Sequence, residues 1–259
     1  MLHYYKKKRK IEPITIVFIF FSLLLVGSVA YLLIYFYQGD KNRGKQEDLN
    51  NLLSDIDSNT NGEDRYASIR DKYPYLVGRI KFNYYKEERF LPIMQTKNDP
   101  EHFLYRDPEG EDSKWGTPFL DYRCDIKKPS ANLIVYGHNM KDLSQFGSLS
   151  EYKSQDYYKK YPTMKLETMY EEEKIYDVVA SMHARIYDKG MKSVFKYYNF
   201  VDATNASEFN NFVSNIKKMQ CYETGIVPQY GDKLLTLSTC DYTKYADGGR
   251  FVVVLRKRE

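Results

Sequence analysis

Residues 13–37 carry no charged side chain and are mostly Ile, Val, Leu and Phe. As a helix this run spans about 37 Å, enough to cross a hydrocarbon core of about 30 Å with some tilt. Ser28-Val29-Ala30 has the small-x-small pattern of a cleavage site, but the apolar run continues through Tyr31 to Tyr37. An uncleaved anchor is therefore expected. A polar stretch follows, with Gly39, Gly44, Asn59, Asn61 and Gly62. Within it Leu49, Leu52, Leu53 and Ile56 recur at i, i+3, i+4, i+7, predicting a short amphipathic helix in a juxtamembrane linker over 38–63. That helix would pack on the domain or on the membrane surface. Asp64 to Tyr73 reads as a further helix, stopped by Pro74.

From Leu76 onward the pattern shortens to strands and turns. Leu76–Phe82, Phe90–Gln95, Asn132–Tyr136, Ile175–His183, the run ending at Cys240 and Phe251–Leu255 are strand candidates, and Asp107-Pro108-Glu109-Gly110 is a turn. Phe146, Leu149 and Tyr152 suggest a helix. Asn205 with Glu208 resembles a capping box, and Phe209, Phe212, Val213 and Ile216 repeat at helical spacing. Short strands with helices between them predict one mainly β domain over 64–259, a barrel or sandwich rather than a βαβ sheet.

Charge adds an orientation. The net charge is +4, and Lys6, Lys7, Lys8, Arg9 and Lys10 supply five positives within the basic segment 1–12. The remainder is close to neutral, which argues against a nucleic-acid binder. Basic residues ahead of the apolar run place the N-terminus in the cytoplasm and the domain outside, on a single-pass anchor. The 26 tyrosines reflect compositional bias and strand preference. Cys124, Cys221 and Cys240 form no C-x-x-C and have no nearby His pair, so no zinc site is expected. Cys124 and Cys221 read as small hydrophobes or as a disulfide pair.

Reactive residue types stand at strand ends. Thr236-Leu237-Ser238-Thr239-Cys240 ends one strand, Arg250 opens the next, and Asn132–Tyr136 runs into Gly137-His138-Asn139. If the first two pair as an antiparallel hairpin, Cys240 and Arg250 come side by side, and a guanidinium favours thiolate. Cys240 as nucleophile, His138 as acid and base, and Arg250 as oxyanion partner suit acyl transfer. Ser238 and Thr236 share the face of Cys240 by period two and either line a peptide groove or pack in the core. His183 reads as a structural strand histidine. Asp241 could orient His138 as in a papain-like site. An anion there would oppose the thiolate, however, and adjacent strand residues point to opposite faces.

Tyr136-Gly137-His138-Asn139-Met140, Thr236 to Cys240, and Gly249-Arg250-Phe251-Val252-Val253 resemble, in order, the three signature segments of a class B sortase. Phe119 to Arg123, Met140-Lys141-Asp142 with Phe146-Gly147, and Tyr157 to Lys160 resemble the same class. The resemblance covers roughly residues 65–259. Arg79 stands where such proteins often carry Trp, and Cys124 where Asn is more usual, which bears on local packing only. The resemblance implies an eight-stranded barrel with a helix between the sixth and seventh strands, for which 205–219 is the candidate. It implies a membrane-anchored cysteine transpeptidase on the outer face of a Gram-positive cell. Such an enzyme cleaves a sorting motif near the C-terminus of a secreted protein after Thr, through a thioacyl-enzyme. An amine of peptidoglycan or its lipid-linked precursor then resolves the thioester. Neither metal nor organic cofactor is implied. The alternatives are an L,D-transpeptidase-like cross-linking enzyme, a sortase-like pilin polymerase, or a wall-associated scaffold with a vestigial triad. An L,D-transpeptidase would place Cys close before Arg. A papain-type protease would have Cys ahead of His.

Overall fold

In the computed structural model, which describes residues 12–56, 65–84, 87–245 and 247–259, the chain divides into two units between Gly44 and Lys45. Helix α1 runs over Pro13–Ser54. It is one unbroken element where the pattern predicted an anchor and a separate linker helix. Gly39 and Gly44 each cost about 1 kcal/mol in a helix interior relative to Ala, but neither takes a positive φ, so the helix passes through them. The large apolar side chains from Ile14 to Ile34 are exposed. Among the described residues it is the one helix long and apolar enough to cross a membrane. The basic residues 1–11 and residues 57–64 lie outside the described set.

From Lys45 onward α1 belongs to the second unit. Leu49 and Leu53 are buried in its core, while Leu52 is exposed. Asn50 Nδ2 donates to Phe90 O at 3.1 Å. The amphipathic stripe therefore packs on the domain. Arg79 completes the contact, donating to Glu167 at 2.8 and 2.9 Å and to Asn50 O and Ser54 Oγ. The helix predicted up to Tyr73 is only a 3-10 turn, Ala67–Ile69. Arg65 N is tied to Met169 O at 2.9 Å, and Pro74 follows soon after. The stretch between is too short to propagate an α-helix.

Eight strands close into a barrel in the order β1-β2-β3-β4-β7-β8-β6-β5. They are β1 Leu76–Tyr84, β2 Glu87–Met94, β3 Phe119–Leu120, β4 Asn132–Tyr136, β5 Thr163–Thr168, β6 Glu171–Arg185, β7 Leu234–Cys240 and β8 Gly249–Lys257. Strand β8 alternates: Phe251, Val253 and Leu255 point into the barrel core, whereas Val252 and Val254 join a second core outside it. That second core is covered by α3, Ala206–Met219, through Phe209, Phe212, Val213 and Ile216. Burying each of these side chains is worth about 1.5–3 kcal/mol. Two buried faces explain why β8 reads as a continuous apolar run and β6 as a strand of mixed faces. Asn205 Oδ1 caps α3 by accepting from Glu208 N at 3.0 Å. The Glu208 carboxylate reaches Thr204 N at 2.9 Å rather than Asn205, so the box closes one residue earlier than predicted. Leu149 and Tyr152 belong to a 3-10 segment, Gly147–Lys153, with Phe146 at its N-cap, and its three-residue turn matches their spacing. Helix α2, Gln155–Lys160, follows it.

Candidate active site

Strands β7 and β8 pair antiparallel with Cys240 opposite Arg250, and β4 pairs parallel with β7, Tyr136 opposite Ser238. The parallel step brings the C-terminal ends of β4 and β7 to one rim of the barrel. His138 and Cys240 both leave the sheet there. A cavity of about 320 Å³ opens at this rim, and His138, Cys240 and Arg250 all line it. Its walls include Leu104, Phe119, Tyr122, Tyr136, Ile186 and Tyr198.

The histidine is held on every side. Gly137 N donates to Ser238 O at 3.1 Å, and Thr239 Oγ1 donates to Gly137 O at 2.8 Å. A Cβ on Gly137 would sit 2.6 Å from Phe146 Cδ2, so only glycine fits ahead of His138. His138 Nε2 lies 2.7 Å from Leu104 O and, facing a carbonyl, must carry the proton. Nδ1 is left as the atom that exchanges one. The Tyr105 ring tilts against the imidazole with centroids 5.6 Å apart. Asn139 Nδ2 donates to Cys240 O at 2.7 Å, tying the histidine loop to the end of β7.

The two residues after Cys240 separate in role. Asp241 turns inward and is buried. It accepts from His183 at 2.5 Å, Lys153 at 3.3 Å and Thr243 Oγ1 at 2.7 Å. Burial pushes its carboxyl up, but the bonds from Thr243 and His183 and the Lys153 charge outweigh this and hold it at about 2. Asp241 therefore pairs with His183 rather than His138, and His183 gains a partner that its strand position did not suggest. Tyr242 stays exposed, and the neighbouring Cys240 pushes its phenol above its ordinary range.

Of the two proposed groove residues, Ser238 lines the cavity and Thr236 does not. Thr236 is buried and donates to Asn132 Oδ1 at 2.8 Å. Ser238 shares a 2.7 Å hydrogen bond with Tyr197, whose phenol burial pushes to about 12. Asp121, also on the cavity, is raised by burial and more strongly lowered by Arg123, so it stays ionised. Arg123 spans from Asp121 to Tyr198 O at 2.5 Å, fixing the wall that follows β6. Cys124 and Cys221 are both free thiols, not a disulfide. Among the described residues no cluster of three His, Cys, Asp or Glu side chains is arranged to hold a metal ion. The Leu104 carbonyl and the Tyr105 ring had no signal in the sequence, because a backbone acceptor is independent of residue type. Tyr242 left only the weak signal of an aromatic two residues past a thiol.

A closed barrel with a Cys, His and Arg converging on one rim cavity defines a sortase-type site. No family model matches the chain. It is 29% identical over 203 residues to sortase B of Listeria monocytogenes, with 76% of each chain covered. Its fold superposes on sortase B from Bacillus anthracis with a TM-score of 0.72 and 26% identity, covering 86% of this chain and 99% of that one. A Staphylococcus aureus sortase B–substrate complex gives a TM-score of 0.72 at 22% identity over 86% and 99% of the two chains, a likeness of fold. These likenesses support a class B sortase and indicate a cysteine transpeptidase. These likenesses do not favour the L,D-transpeptidase or pilin-polymerase readings.

Proposed function

We propose that Cys240 is the nucleophile, His138 the acid and base, and Arg250 the oxyanion partner. Together they would transfer a secreted protein from its C-terminal sorting motif to a cell-wall amine. The register that sets Cys240 opposite Arg250, with His138 on the same cavity, carries this reading. The Cys240 thiolate attacks the carbonyl carbon of the motif's Thr, and Arg250 takes the charge that develops on its oxygen. As the C–N bond breaks, protonated His138 gives its Nδ1 proton to the departing amine. A peptidoglycan or lipid-linked precursor amine then attacks the thioester, returns a proton to His138 and releases the thiolate. Ser238 borders the bound peptide. Residues 1–12 lie in the cytoplasm, 13–37 cross the membrane, and 64–259 form the extracellular catalytic domain joined through 38–63. The test incubates the full-length chain in detergent with a library of sorting-motif peptides, with and without an oligoglycine amine. The expected result is a thioester mass on Cys240 and an amine-dependent ligated product. Cleavage without an adduct at Cys240 would overturn the assignment.

A further inference from the structure

Helix α1 grips the loop that holds the catalytic histidine. Lys45 Nζ lies 2.6 Å from Asp107 Oδ2 and 2.7 Å from Glu109 Oε2, with 16% of its side chain exposed and 7% of the aspartate's. Asp107 forms the knot of its turn, accepting from Glu109 N and Glu111 N, each at 3.0 Å. The two arms leaving the turn brace one another. Ser113 N donates to Tyr105 O and Thr117 N to Phe103 O, both at 2.9 Å, and Thr117 Oγ1 donates to Arg106 O. Between these rungs stand Leu104, whose carbonyl accepts from His138 Nε2 at 2.7 Å, and Tyr105, whose ring packs on the imidazole. Lys45 itself is fixed because Leu49, one turn further along α1, is buried in the barrel core. Partly buried ion pairs on two carboxylates of one turn are screened less than surface pairs, and removing one partner leaves the others unmatched. Lys72 also reaches Glu109, at 3.0 Å, but is more than half exposed, so it cannot replace the contact to Asp107.

We propose that Lys45 is a positioning residue for catalysis, holding the 103–117 loop from helix α1 and, through the Leu104 carbonyl, setting the His138 imidazole. This rests on the reading of His138 as the acid and base. A loop freed at its tip lets the Leu104 carbonyl drift, and small displacements of a reacting group are costly in rate. Leu104 is the one residue of the 103–117 loop on the cavity lining, so turnover should respond far more than peptide binding.

The experiment uses the full-length chain in detergent micelles. Lys45→Met keeps the aliphatic stem and removes the charge, Lys45→Arg keeps the charge, and Asp107→Asn keeps the turn acceptor while removing its half of the ion pair. Lys45→Met and Asp107→Asn are each expected to lower kcat about tenfold with KM for the peptide nearly unchanged. Lys45→Arg should restore most of the turnover, and thermal melting is recorded for each variant. Wild-type kcat in a folded Lys45→Met or Asp107→Asn variant would overturn the proposal. So would a loss that follows the folded fraction alone, or one that Lys45→Arg does not recover. His138→Ala is run beside them. If it keeps turnover, the acid-and-base reading falls and this inference with it. If it is inactive while Lys45→Met behaves as wild type, only the role of Lys45 falls.

Discussion

Three thiols compete for the nucleophile's role, and their surroundings separate them. Cys124 is fully buried, and burial pushes its thiol to about 12. Cys221 is exposed but absent from the cavity lining. Cys240 alone faces the cavity beside Arg250. Cys240→Ala should abolish peptide cleavage with the circular-dichroism spectrum and melting curve unchanged; residual full activity would hand the role to another thiol. Arg250→Lys keeps the charge but replaces a planar fork of donors by a point charge. Losing one oxyanion donor costs about 3–4 kcal/mol, a factor of roughly 10²–10³ in kcat, which steady-state kinetics would read directly. That these two residues and His138 meet at one rim was legible because each stands at a strand end whose apolar run announces it. The partners that tune them were not. Asp241 sits beside the thiol in sequence yet points to His183, a residue separated from it by 58 positions, which only the barrel brings near.

At the scale of elements, close approaches of backbone decide where the reactive ends lie. A Cβ on Gly249 would fall 2.0 Å from Asp241 O, where β8 begins one residue ahead of Arg250. Gly249→Ala should pry β8 from the loop after Cys240, costing about 1–3 kcal/mol of stability, with kcat falling further than the loss of folded protein explains. Gly116 holds a φ of +58°, and its Cβ would meet Leu104 O at 2.4 Å. Gly116→Ala is expected to displace the His138 acceptor and reduce turnover while peptide affinity persists, as measured by fluorescence anisotropy. An apolar stripe at helical spacing made α3 readable, and a continuous apolar run made β4 so. Strand β5 and the short helix α2 were not, because Thr163–Thr168 and Gln155–Lys160 are mostly polar. The unbroken run of α1 escaped notice for a similar reason: its glycines look like breaks until Leu49 and Leu53 are seen docked on the barrel.

For the molecule as a whole, several carboxylates carry stability that depends on pH. Asp241, raised by burial but lowered more by its donors, is held at about 2 in the fold, against about 3.9 for a free aspartate. Its contribution is complete above the unfolded value and is lost as the pH falls from about 4 toward 2. Asp241→Asn should therefore flatten the decline of the melting temperature across that interval while lowering it at neutral pH. Asp121 and Glu109 are depressed as well, by Arg123 and by Lys45 with Lys72, and their contributions are lost in the same direction. The parallel pairing of β4 with β7 has a further consequence, in time. Thr239 reaches Gly137, and Asn139 reaches Cys240, across sequence separations of 102 and 101 residues. Everything from the segment after His138 to β6 and α3 must be synthesised before these bonds can close. Contacts this distant in sequence form slowly, after local hairpins such as β1–β2. Cys240 and His138 thus meet late in folding, and a nascent chain has no assembled thiol–imidazole pair to misdirect before its barrel is shut.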